Sequence, residues 1–172
     1  FRDDIRAFVD RDTVEACVSE GIRERSPEPK IKYHAFVDPS GGSSDSMVLC
    51  VSHRSRAGQV LLDAIAEVAP PFSPRKTVAT FAQILKRYRI TSVTGDRYGG
   101  EWCREPFREH GIQYVTSEKP KSDLYLDTLP MLNSGSVDLL DHPKLVNQFC
   151  GLERRTARSG RESTRNSTSR RI

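Results

Sequence analysis

The sequence lacks any apolar run near the roughly 18 residues that a membrane-crossing helix needs. Its opening residues, FRDDIR, are polar, so neither a membrane span nor a signal peptide is expected. Cysteine is scarce. Cys17, Cys50, Cys103 and Cys150 form no C-x-x-C pair, and each lies in an apolar stretch. That pattern reads as small buried hydrophobes in a reducing compartment and speaks against a zinc ribbon. No G-x-x-x-x-G-K-[ST] loop is present, which excludes ATP hydrolysis by a phosphate-binding loop. There is one tryptophan, and no aspartate follows Asp141. The histidines His53, His110 and His142 show no metal-ligand spacing.

What is present is a chain of 172 residues, long enough for one domain with a real core. It begins at Phe1 rather than Met, the pattern of a fragment or a processed piece. The net charge of +4 is unevenly spread. From Gly151 onward seven arginines stand against Glu153 and Glu162, a net +5, which leaves the first 150 residues at −1. A basic end of this kind either binds nucleic acid or is a solvated tail.

Hydrophobic spacing predicts the order of elements. Ile5, Phe8 and Val9 share a helical face, and Asp12 with Glu15 fits a capping box for a second short helix. Residues 20–30, with two prolines and no apolar period, read as a linker ending near Lys30. Three strands follow, at 31–37, 46–52 and 59–68, with short connections that imply an antiparallel meander. Then come a helix at 75–89, a strand at 91–95, a helix to His110 carrying Trp102 as a core anchor, a strand at 112–116 and a helix at 120–132. An extended piece at 137–140 and a helix from Pro143 to about Arg154, capped by Asp141, complete the pattern. Such an order implies an α/β fold: a mixed sheet, meander first and βα units after, flanked by helices.

Two acids stand out. Asp38 (VDPSGG) and Asp96 (TGDRYGG) each follow a short apolar strand directly. Sites in open α/β sheets form at the carboxyl ends of strands, and two carboxylates meeting there call for a cation, with Mg²⁺ or Mn²⁺ suited to hard oxygens. An aspartate capping a turn before a glycine loop explains each acid equally well. Asp45, in the loop after Gly42, is an auxiliary candidate or a turn cap. Asp123 and Asp127 share a helix face, and Asp127 is a second auxiliary candidate. Lys119 and Lys121, flanking Pro120 at a helix start, are candidates for DNA phosphate contacts.

Over residues 1 to about 161 the sequence resembles the C-terminal nuclease region of bacteriophage terminase large subunits. The stretches that carry the resemblance are FVDPSGGSSDSMVL, VTGDRYGGEWCREPFREHGI, LPMLNSGSVDLLDHPKLVNQF and GLERRTARSGR, long and in the family's order. The resemblance implies an RNase H-like fold and a Mg- or Mn-dependent endonuclease in the host cell cytoplasm, cutting double-stranded DNA with two metal ions. It makes Asp38 and Asp96 catalytic metal ligands. It names the packaging ATPase region, the portal and the small terminase subunit as partners. It divides the chain into the helical end of the ATPase region and linker (1–30), the nuclease domain (31–154), and a basic, disordered or aberrant tail (155–172). The family carries a third acidic motif shortly after the Gly-Leu-Glu-Arg-Arg segment. Here that place reads GRESTRNSTSRRI, as a truncated or frame-shifted end would. The site is therefore expected to be incomplete. A catalytically inactive remnant that binds DNA or the motor, or another RNase H-like enzyme such as a resolvase or transposase, are the alternatives.

Overall fold

The computed structural model describes residues 5–96, 100–156 and 162–166. Residues 97–99 of the TGDRYGG stretch, and the arginines at 158, 161, 170 and 171, lie outside the described residues. In chain order the elements are β1 (Ile5–Ala7), α1 (Arg11–Glu15), β2 (Val18–Ser19), β3 (Tyr33–Asp38), β4 (Met47–Arg54), β5 (Val60–Val68) and α2 (Pro74–Arg87). They continue with β6 (Ser92–Gly95), α3 (Gly100–Glu109), β7 (Gln113–Thr116), α4 (Lys121–Asn133), β8 (Val137–Leu140), α5 (Pro143–Cys150), β9 (Leu152–Thr156) and β10 (Glu162–Asn166). They group into two compact units: Glu24–Glu118, and Phe1–Arg23 with Lys119–Ile172. No described helix is long and apolar enough to cross a membrane.

In the unit Glu24–Glu118 five strands run in the order β5-β4-β3-β6-β7. β5, β4 and β3 form the antiparallel meander. β6 lies parallel to β3, and β7 parallel to β6, because α2 and α3 return the chain to the same end of the sheet after each strand. Alternation in β3 buries Tyr33, Ala35 and Val37, and in β4 Met47, Leu49, Val51 and His53. The register sets Tyr33 against His53, Ala35 against Val51 and Val37 against Leu49, so one face is continuous. α2 meets it with Val78, Phe81, Ala82 and Leu85, all 1 % exposed or less, at the spacing of a single helical stripe.

α3 forms as the sequence predicts, but its tryptophan does not face inward. Cys103 and Phe107 are fully buried, while Trp102 is 37 % exposed. Residues one apart on a helix diverge by about 100°. With Cys103 and Phe107, four apart, fixed on the core, Trp102 is turned toward the rim.

The other unit has a parallel pair, β2 with β8, and an antiparallel sheet in the order β1-β9-β10. Four local expectations are corrected here. Ile5 belongs to a strand paired with β9, at Ile5↔Arg155, rather than to a helical face. Asp10, not Asp12, holds the N-cap position of α1. The cap of α5 is His142, whose Nδ1 accepts from the Leu145 amide at 3.3 Å. Asp141 instead accepts from the Gly21 amide at 3.0 Å. α5 also stops at Cys150 rather than near Arg154, because Leu152 is drawn into β9.

Candidate metal centre

Asp38 is the last residue of β3, and Asp96 follows β6 by one residue. The parallel register pairs Phe36 with Thr94 and Val37 with Gly95. One step further along that register are Asp38 and Asp96. Adjacent strands lie about 4.8 Å apart, and paired positions share a face. The two acids therefore stand side by side on the face opposite Val37 and Gly95. Both are half-buried. Carboxylates at neighbouring strand ends carry like charges, and a cation between them relieves the repulsion.

The backbone at Asp96 is held from below. A Cβ on Gly95 would come within 2.3 Å of Tyr114 Oη and 2.7 Å of its ring, so the glycine is what lets the phenol lie against the strand. Tyr114 Oη then donates to the Asp96 carbonyl at 3.0 Å. The Ser117 amide donates to the Gly95 carbonyl at 2.8 Å. Tyr114 in turn stacks on Phe107, with ring centroids 6.0 Å apart. Burial raises the pKa of the Tyr114 phenol, and the charges of Cys103, Asp96 and Asp38 add to the rise. It therefore stays a donor at any working pH.

The loop after Asp38 is pinned as well. Gly42 has φ +84°, and a Cβ there would meet the Phe72 carbonyl at 2.4 Å. The Phe72 amide donates to the Gly42 carbonyl at 3.1 Å. Ser40 Oγ donates to the Asp45 carbonyl at 2.6 Å. The backbone of Asp45 is thus fixed while its residue as a whole is exposed. Across the sheet from Phe36 is Cys50. Burial pushes its thiol up to about 11, and the charge of Asp38 contributes.

Asp127 and Lys119, two candidates of different roles, are engaged with each other: Lys119 Nζ is 2.6 Å from Asp127 Oδ2, both side chains more than half exposed. Lys121 opens α4. These three belong to the second unit. Among the described residues no three His, Cys, Asp or Glu side chains form a metal-binding group. If Asp38 and Asp96 hold an ion, they would offer it two hard oxygen ligands, a set that would fit Mg²⁺, which takes one or two carboxylates and keeps several waters.

One polar cluster escaped sequence reasoning. His53 Nδ1 lies 2.7 and 2.9 Å from the two carboxylate oxygens of Asp63, and Asp63 is 1 % exposed. Tyr33 packs edge-on against both His53 and Tyr88. The Arg25 amide donates to the Asp63 carbonyl at 2.8 Å, and Tyr88 Oη donates to the Arg25 carbonyl at 2.5 Å. The only signal in the sequence was an aspartate in the middle of a largely apolar strand, VLLDAIAEV.

No protein-family model and no curated protein matches this sequence. Solved structures do. The large terminase nuclease from thermophilic phage G20c superposes with a TM-score of 0.75 at 15 % identity, covering 92 % of this chain and 88 % of that one. Its structure with bound magnesium gives 0.74 at 15 % identity, over 92 % and 87 %. The HK97 bacteriophage large terminase gives 0.70 at 16 % identity, covering 94 % of this chain and 40 % of that one. The meander followed by βα units, with helices on the sheet, is therefore the RNase H-like fold of the phage large-terminase nuclease domain.

Proposed function

We propose that this chain is a metal-dependent endonuclease of a phage DNA-packaging terminase, acting on double-stranded DNA. The observation that supports this reading is the parallel register of β3 and β6, Val37 against Gly95, with Asp38 and Asp96 each next in sequence at the carboxyl end of its strand. The fold of the terminase nucleases supports it, and the magnesium-bound G20c structure supports a divalent ion. Asp38 and Asp96 would hold Mg²⁺ or Mn²⁺. Such an ion, when bound, supplies Lewis-acid polarisation of the phosphodiester, and a pair of ions clamps both the attacking and the leaving oxygen. The chain's own part is to present the carboxylates together, to fix the Asp96 backbone through Tyr114, and to hold the 39–46 loop on Phe72. Asp45 is an auxiliary group of the site. Lys119 and Lys121 offer phosphate contacts, Lys119 by exchanging Asp127 for a phosphate. Asp127 is the acid it leaves.

The site supplies two acidic contributions, and the sequence holds no aspartate after Asp141 for a third. Mn²⁺-dependent nicking of supercoiled plasmid tests the assignment. Asp38→Asn and Asp96→Asn are each expected to lower the rate at least about 100-fold, equivalent to about 2.7 kcal/mol of transition-state stabilisation. Equal rates in the two variants and the parent would remove the site. The run GRESTRNSTSRRI, where the resemblance leads one to expect a further aspartate, favours one second reading, a chain that binds DNA without cutting. No nicking at millimolar Mn²⁺, together with salt-sensitive binding, is its signature.

A further inference from the structure

β3 begins at Tyr33, but its register with β6 covers Phe36 and Val37. Toward the start of β3 a cleft of about 610 Å³ opens between residues 30–35 and residues 88–94. Its rim carries Lys30, Lys32, His34 and Arg89, with the hydroxyls of Ser92 and Thr94, and no carboxylate is among the described residues that line it. Lys30, Lys32 and His34 recur at alternate positions on one segment and Arg89 stands on the other, its guanidinium donating to the Glu28 carbonyl; a row of cations of this kind suits a polyanion. Arg89 is placed there at a cost. The Arg89 amide bonds to the Lys86 carbonyl and the Ile90 amide to the Leu85 carbonyl, both at 2.9 Å, the paired bonds that close a helix on a left-handed residue. Arg89 has φ 58°, at a place glycine fills with less strain.

Of the residues that line the cleft, His34, Ser92 and Thr94 stand at positions of the acids' face, while Tyr33 and Ala35 stand on the other. His34, Phe36 and Asp38 alternate along β3, and Thr94 and Asp96 along β6. At about 3.3 Å per residue, Thr94 lies about 7 Å and His34 about 13 Å from the acids at the strand ends. Phosphates of a duplex strand recur every 3.4 Å of helix axis, so that stretch spans about two to four nucleotides. We propose that this cleft seats the phosphate backbone of the DNA strand a few nucleotides from the phosphate held at Asp38 and Asp96, positioning the duplex without reading its sequence. The inference rests on the endonuclease reading above.

The full chain carrying Asp38→Asn, which keeps the duplex intact, is titrated against a labelled duplex of about 30 base pairs between about 50 and 200 mM salt. Lys32→Ala in that background is expected to weaken binding roughly 10-fold and to lower the salt slope by about 0.9; Lys30 has φ 67°, so Lys30→Asn, which tolerates that left-handed backbone, is added next and lowers the slope by about 0.9 again. Lys86→Ala, an exposed lysine on α2, is the charge-matched control and should bind as the parent does. Unchanged affinity and slope in the cleft variants overturns the proposal. So does an equal loss in the control, or no binding of duplex at about 50 mM salt. A parent chain that fails to nick plasmid, yet loses binding through Lys30 and Lys32, sinks the endonuclease reading and leaves the cleft standing.

Discussion

At the scale of single residues the candidate site depends on Gly95 as much as on its acids. The glycine precedes Asp96, and the Tyr114 ring occupies the space its side chain would take. Gly95→Ala forces the phenol off the strand, an overpacking change of about 1–3 kcal/mol. It also breaks the hydrogen bond to the Asp96 carbonyl. Tyr114→Phe separates the two effects. It keeps the ring and removes the donor, so it should cost about 1 kcal/mol of unfolding free energy. Urea unfolding of both variants, with Mn²⁺ titrations on each, checks this. If Tyr114→Phe destabilises the fold as much as Gly95→Ala, the hydroxyl rather than the ring is what the glycine accommodates. Asp38 and Asp96 could be picked out in the sequence because a strand, an acid and a glycine loop are contiguous. Tyr114 could not, because it lies 18 residues beyond Asp96 and its role exists only once β7 is laid beside β6.

At the scale of elements, β5 shows what a strand pattern conceals. The pairing of β4 with β5 shifts between Val51 and Ser52. The shift leaves Asp63 outside the register and turns it, with Ala64, to the buried face. There it meets His53. Its neighbours also include Arg25 and Glu28. Burial raises the Asp63 carboxyl above its ordinary 3.8, outweighing the hydrogen bond and charge of His53 and the charge of Arg25, which lower it. The folded chain then holds this proton more tightly than the unfolded chain does. The stability Asp63 contributes is full below 3.8 and is lost as pH rises through the raised value. The unfolding free energy of the parent minus that of Asp63→Asn should therefore fall across that window. A difference that rises with pH would mean that the charge of His53 outweighs burial. Nothing in the alternation of β5 foretells this, since a bulge is set by which partner the strand finds. Trp102 fails for a similar reason. The helical period fixes which residues of α3 share a face, but not which face the sheet takes. The stripe of α2 was legible because all its large apolar residues fall on one side.

At the scale of the whole molecule, the meander and the βα units were readable because each element carries its own local pattern and, apart from the crossover from β5 to β6, strands next in sequence are neighbours in space. β1, β9 and β10 were not: each is three to five residues long, and β1 finds its partner β9 across about 150 residues, as in Ile5↔Arg155. A global measurement nevertheless reports on the acid pair. A divalent ion held by Asp38 and Asp96 together would bind the folded state and not the unfolded one. At ten times its own Kd such an ion stabilises by RT ln 11, about 1.4 kcal/mol. For a chain of this length that corresponds to a rise in Tm of about 3–6 °C. Melting with and without Mn²⁺ should show the rise in the parent and lose it in Asp38→Asn and Asp96→Asn. Without the ion, each of those variants should melt at or above the parent, because the like-charge contact is gone. The experiment needs no cleavage, so it holds for a cutting and a merely binding chain alike. A Tm indifferent to Mn²⁺, or a rise that survives in both asparagine variants, would place the ion elsewhere and leave the two aspartates as caps of their glycine turns.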